Sequence, residues 1–267
     1  MKFRILTAAA GLWVAGTAVA ESPATLPMPP QPETPSTGLR LTYDMAGSPV
    51  TLQRDASGVV QVDGLPYPGL VLYTPATGVV YYQHPDETGW LAITPSDTNG
   101  YTVSATTVAG AAWQPYLDSP TRRWEVKGAQ MPCDNWFTSQ KAGSVAGLTA
   151  ADLWRVFSSL QWLQAGSAAP VCDKLSVDAT QAAQIGLPLY FNGPGGLWQL
   201  TELTQADIAP IALPATPQPV TDEARLRVLL HQFGPEDKEA LLKDIGQLPL
   251  ARQLEEIQKR LADTAAF

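Results

Sequence analysis

Turn chemistry at short, regular intervals constrains this chain more than any other feature. From Gly38 onward, runs rich in Val, Leu, Tyr and Thr are cut by Gly, Pro, Asp and Ser about every ten residues. Leu39, Leu41 and Tyr43 alternate with Arg40, Thr42 and Asp44, the period of two that belongs to a strand with one buried face. Similar runs follow at 50–54, 59–62, 69–73, 79–83 and 90–94. They are divided by Asp55-Ala56-Ser57-Gly58, Gly64-Leu65-Pro66-Tyr67-Pro68, Pro75-Ala76-Thr77-Gly78 and His84-Pro85-Asp86-Glu87-Thr88-Gly89. Connections this short leave no room for a crossover helix, so the strands pair as an antiparallel meander. Residues 101–107, 122–126 and 132–137 extend it, with Trp113 and Tyr116 in a connection.

One helix interrupts the meander. A turn at 143–147 leads to Thr149, an N-cap candidate with Asp152 three residues on, close to a capping box. Leu153, Val156, Phe157, Leu160 and Leu163 then fall on one face of a helix over 150–163, with Trp154 and Trp162 off its centre. A short helix at 176–184 is stopped by Gly186. The runs 187–192 and 197–204 flank Gly193-Pro194-Gly195-Gly196 and read as a hairpin. The expected fold is α+β: a strongly curved antiparallel sheet, a half-barrel, wrapped around a central helix over 38–208, with a small C-terminal helical appendage.

Lys2 and Arg4 precede an apolar run over 5–19, and Ala18-Val19-Ala20 offers a cleavage site, so residues 1–20 are expected to be a signal peptide cut before Glu21. The expected localisation is periplasmic or secreted, with no membrane span after cleavage. Residues 21–37 read as a proline-rich linker, and 209–221 as a second, flexible one. The last segment, 222–267, holds 16 of the chain's 42 Lys, Arg, Asp and Glu residues, and that shift marks a boundary. Thr221, Pro235 and Pro249 stand where three helices would start. Leu250, Leu254, Ile257 and Leu261 form a narrow seam, either packed on the chain's own body or open to a protein partner.

Cys133 and Cys172 are the only cysteines, and in an exported chain they are expected to pair. Closing a loop of about 40 residues stabilises the fold by roughly 3–4 kcal/mol in the chain-entropy picture. Losing Lys2 and Arg4 would carry the formal charge from −8 to −10, which argues against nucleic acid.

Catalytic chemistry is hard to find. His84 and His231 are the only histidines; each reads as a surface residue, and their separation in sequence gives no recognisable zinc motif. Asp86 with Glu87, and Asp134, are the carboxylates with any claim to acid–base work. No catalytic residue, cofactor or metal is assigned, and a non-enzymatic role is expected. The remaining lead is aromatic: Tyr73, Tyr81, Trp90, Trp124, Trp136 and Trp154 either fill the core or line an apolar binding face for a lipid-like group.

Gly186-Leu187-Pro188-Leu189, followed by Leu197-Trp198-Gln199-Leu200-Thr201-Glu202-Leu203, resembles the closing hairpin of uncharacterised periplasmic relatives of the LolA/LolB lipoprotein carriers. Cys133-Asp134-Asn135-Trp136 is similar to their strand before the helix. The resemblance covers roughly 38–208 and stops short of the C-terminal helices. It implies a concave sheet face that holds acyl chains or other hydrophobic groups, and it assigns no individual binding residue. The expected function is that of an exported binding or carrier-like protein; the alternative is an interaction module acting through 222–267.

Overall fold

The computed structural model describes residues 37–98, 101–108, 120–165 and 171–265. The expected signal peptide, nearly all of the first linker, Trp113 and Tyr116 lie outside the described residues. The meander is built from β1 (Thr37–Met45), β2 (Ser48–Arg54), β3 (Val60–Asp63), β4 (Leu70–Thr74), β5 (Val79–Gln83) and β6 (Leu91–Ile93). It continues through β7 (Tyr101–Thr107), β8 (Arg122–Gly128) and β9 (Met131–Ser139). Helices α1 (Gln140–Ala146) and α2 (Ala150–Ala165) follow, then β10 (Leu175–Ser176), α3 (Ala179–Ile185) and the hairpin of β11 (Leu187–Gly193) with β12 (Gly196–Asp207). After β13 (Gln218–Pro219) come α4 (Asp222–Leu230), α5 (Pro235–Ile245) and α6 (Leu250–Ala265).

Among the described residues the protein is α+β, with six helices and thirteen strands in one open, curled sheet of order β10-β7-β8-β9-β11-β12-β1-β2-β3-β4-β5-β6-β13. The central pairings are antiparallel, including β1 with β12 and β9 with β11. The two-residue strands at the ends, β10 on β7 and β13 on β6, pair parallel. Alternation sorts the faces as the sequence predicts: Leu41 and Tyr43 are buried while Arg40 and Asp44 are exposed. The β1–β2 turn holds Ala46 and Gly47 at φ 49° and 91°, the mirror-image turn that matches strand twist.

The core is aromatic and closely packed around α2. Trp136 lies 4.0 Å from Trp154, Trp154 lies 5.0 Å from Phe191, and Phe157 lies 4.9 Å from Trp198, between ring centres. The polar edges of this cluster are bonded in part: the Tyr43 hydroxyl donates to the Pro188 carbonyl at 2.8 Å and the Trp198 indole to Pro194 at 2.9 Å. Such rings contribute through buried area and through tilted contacts worth about 0.5–1.5 kcal/mol each.

Three local expectations need correction. The segment before α2 is helix α1 and not a turn. Ser139 caps it, accepting from the Ala142 N–H at 3.2 Å, and Gly147 ends it in the left-handed conformation at φ 61°. Next, α2 has neighbours on more than one face, for every residue over 150–164 is buried or half-buried; helices α3, α4 and α6 pack on it besides the sheet.

The third correction concerns 209–221, which is not a free linker. The Ile211 N–H donates to Asp55 Oδ2 at 2.8 Å, and the Gln218 N–H donates to the Trp90 carbonyl at 2.8 Å. Beyond it, Leu229, Leu230, Leu241, Ile245, Leu254 and Ile257 form a separate small core, so the α6 seam packs against α4 and α5. Helix α4 docks on α2: the Arg225 guanidinium lies 4.6 Å from the Trp162 ring centre, and Gln232 Nε2 donates to the Gln164 carbonyl at 3.0 Å.

Candidate functional site

Side chains from near the two ends of the sheet line one cleft beside α2, about 450 Å³ in volume. Tyr73, Pro75 and Gly78 come from β4 and the turn after it, and Pro95 and Thr98 from the chain after β6. Leu175, Val177 and Ala179 come from β10 and the start of α3. Helix α2 supplies Ala151, Asp152, Arg155 and Ser158.

The polar residues of the cleft are held in place. The Tyr73 hydroxyl donates to Asp152 Oδ1 at 2.7 Å, while Asp152 Oδ2 accepts from the Thr149 N–H at 2.7 Å and its hydroxyl at 2.9 Å. That is the helix start expected from the sequence, here also tied to a strand. Burial, and then the Asp152 charge, pushes the Tyr73 hydroxyl well above its ordinary range. Arg155 Nε donates to the Gly78 carbonyl at 2.7 Å and Nη2 to the Ile93 carbonyl at 3.0 Å, with Nη1 on the Thr98 hydroxyl. The guanidinium therefore bolts α2 to the strand-end loops.

The six aromatic residues expected on a binding face go to three places. Trp124, Trp136 and Trp154 are buried in the core, with the Trp124 indole donating to Thr138 Oγ1 at 3.0 Å. Tyr73 lines the cleft. Tyr81, half-buried, pairs across from Leu72 on the opposite face, where Trp90 borders a hollow of about 380 Å³ with Gln53, Gln61 and 208–212. Alternation identified the residues but could not say which gaps their neighbours would fill.

Cys133 and Cys172 form a disulfide, with Cα atoms 5.4 Å apart. It fastens β9 to the short 3-10 turn Val171–Lys174 that follows α2. Asp134, next to it, accepts from the Asn192 N–H; burial raises its carboxyl despite the backbone hydrogen bonds that lower it. It is far in sequence and in the sheet from Asp86 and Glu87.

The histidines overturn their sequence reading. His84 is buried at 7% exposure, because its loop after β5 lies under the end of α4, and its ring stacks on His231 at 3.9 Å and 16°. Asp86 Oδ2 lies 3.7 Å from His84 Nδ1 and 3.5 Å from His231 Nδ1. Glu87 Oε1 lies 3.4 Å from His231 Nε2 and 3.5 Å from Arg227 Nε. Burial, and after it the neighbouring His231, holds His84 below the ordinary imidazole range, against the pull of Asp86 and Glu87. Among the described residues, His84, Asp86 and His231 are a set whose donor atoms, all within 4.8 Å of one another, could hold a metal ion.

No described helix is long and apolar enough to cross a membrane. Compared with models of protein families and with curated protein sequences, the chain matches none.

Proposed function

We propose that the chain is an exported, non-enzymatic binding protein of the bacterial envelope, carrier-like, which holds an apolar or lipid-like group in the cleft beside α2. The observation that carries this reading is the cleft itself. Near the two ends of the sheet, beside α2, the described residues leave about 450 Å³, within the usual range for a small-ligand site. Its walls are largely apolar, from Tyr73, Pro75, Pro95, Leu175 and Val177, with Arg155 and Asp152 set to orient a polar end.

In this reading the curled sheet is a half-barrel around α2, and the cleft is its seam. The relation to the LolA/LolB carriers is supported by the order of elements, with the strand at Cys133-Asp134-Asn135-Trp136, the helix and then the β11–β12 hairpin. The disulfide and the lack of a spanning helix among the described residues are compatible with export. Aromatic residues deep in the core then shape the wall behind the ligand instead of touching it.

Titration with a fluorescent fatty acid, together with lipid extraction of protein purified from the periplasm, tests the proposal. Saturable uptake by the wild type is expected, and Ala179→Trp, which closes the cleft at an exposed rim position, should weaken it at least tenfold with an unchanged melting temperature. Protein that is always empty and takes up no probe, or equal uptake by the variant, refutes it.

A further inference from the structure

The loop after β5 and the end of α4 bring together the only two histidines of the chain. His231 meets Glu87 across 144 residues of sequence. The geometry points to a divalent transition-metal site, with His84 Nδ1, His231 Nδ1 and Asp86 Oδ2 as ligands for an ion of the Zn²⁺ class.

The arrangement of protons supports it. The Asp86 N–H points at His84 Nδ1 at 3.2 Å, so that nitrogen presents its lone pair and the ring proton sits on Nε2. His231 lies between two carboxylates, Nε2 at 3.4 Å from Glu87 Oε1 and Nδ1 at 3.5 Å from Asp86 Oδ2, and in the tautomer that donates to Glu87 its Nδ1 is bare as well. Both bare nitrogens face Asp86 Oδ2, at 3.7 and 3.5 Å. In that tautomer three electron-rich atoms converge with no ring proton between them. A cation at their centre turns this repulsion into coordination.

The two distances to Asp86 are close to those a metal would impose, and the three ligand atoms all lie within 4.8 Å of one another. Zinc bonded at 2.0–2.1 Å to tetrahedral ligands holds those ligands about 3.3 Å apart, so Asp86 needs to close on the two rings by only a few tenths of an ångström. The rings, now 16° from parallel, must splay so that both lone pairs point to one ion, and the weak bond from the Asp86 N–H gives way. Behind His231, Glu87 and Arg227 form the kind of carboxylate support that fixes the tautomer of a ligating histidine. Two imidazoles and one carboxylate suit Zn²⁺, Cu²⁺ or Ni²⁺ better than Ca²⁺ or Mg²⁺. Three protein ligands leave the fourth position open, unlike the closed sites that serve structure alone.

Such a site needs no ligand in the cleft and stands whether or not the carrier reading does. The test uses the full chain, purified without a polyhistidine tag. Isothermal titration with Zn²⁺ should give one site, and Zn²⁺ at about a hundred times its Kd should raise Tm by about 5–10 °C. Co²⁺ should give the intense visible bands of a low-symmetry, tetrahedral-type site. Asp86 is 73% exposed, so Asp86→Ala should leave the metal-free Tm unchanged while it weakens Zn²⁺ binding at least tenfold. His231→Gln should do the same to binding, and Glu255→Gln, on the outer face of α6, should change nothing. No binding by the wild type, equal binding by Asp86→Ala and His231→Gln, or strong Ca²⁺ binding without Zn²⁺ binding overturns the assignment.

Discussion

Replacing Asp55 by alanine should destabilise the protein by about 3–5 kcal/mol, although the residue touches neither the cleft nor the histidines. Asp55 is 3% exposed and sits just past β2. Its Oδ1 accepts from the Val59 N–H at 2.9 Å and the Ser57 hydroxyl at 2.7 Å, and its Oδ2 from the Ile211 N–H at 2.8 Å. Bonds to a charged acceptor contribute about 1.5–3 kcal/mol each, and a buried N–H left without a partner carries its own penalty of about 1–3 kcal/mol. The Ser57 hydroxyl can turn to water and the losses overlap, which gives the lower figure. In a folded unit of this size each kcal/mol moves Tm by about 2–4 °C, so the variant should melt about 10 °C lower. Asp55→Asn keeps an oxygen for Val59 and Ser57 but turns an NH2 group toward the Ile211 N–H, and should lose roughly half as much.

The pH dependence gives a second, independent reading of the same clasp. Burial pushes the Asp55 carboxyl up, but the donors at Ile211, Ser57 and Val59 outweigh it and hold it below the ordinary value of 3.8. A depressed carboxyl contributes stability that is complete above its unfolded value and is lost as pH falls through the lowered one. The gap between wild type and Asp55→Asn should therefore be constant from pH 7 to about 4.5 and close below that. Urea denaturation followed by tryptophan fluorescence measures the gap, and amide exchange reports whether Ile211 loses protection. A midpoint for Asp55→Ala within about 0.2 M of wild type, or an Ile211 amide still protected in it, refutes the reasoning.

Two further outcomes follow from the frame. Reducing the Cys133–Cys172 bond should remove roughly 3–4 kcal/mol, seen as a fall of about 1–1.5 M in the urea midpoint; two reactive thiols in the native, unreduced protein would contradict the pairing. Gly186 has φ 80° and ψ −153°, where a side chain is strained, and an added Cβ would stand 2.6 Å from the Ser139 carbonyl oxygen and 2.7 Å from Gln140 Cα. Gly186→Ala should thus cost about 3 kcal/mol or more, and a variant as stable as wild type by the same urea assay would contradict the backbone geometry.

Much of the sheet was legible because its information is local. Leu39, Leu41 and Tyr43 declare a buried face by alternation, and Gly193 to Gly196 declare a hairpin by turn chemistry. Other features carry no local mark. The β8–β9 turn places Ala129 and Gln130 at φ 49° and 69°, so it lacks the glycine that normally announces such a turn. Helix α1 contains Gly143 and Ser144, poor helix formers, and at Gly143 the reason is close approach: a Cβ there would lie 3.0 Å from the Leu187 nitrogen. Helix α2 shows one apolar stripe, yet its other side is partly covered as well, for α4 brings Arg225 onto Trp162. The cleft and the histidine cluster are harder still. Each is made by residues far apart in sequence, and no periodicity can report that Asp86 will stand between His84 and His231.

The short parallel strands at the ends of the sheet bear on its exposed margins. An open sheet ordinarily presents a row of bare N–H and carbonyl groups, a template on which further chains can stack toward fibrils. Here β13 covers β6 with only two residues, and Pro219 has no N–H to offer the next strand. At the far side β10 is equally short and runs at once into the chain leading to α3. Among the described residues, the segment that would otherwise be a loose connection thus doubles as the blunt margin of an open thirteen-stranded sheet.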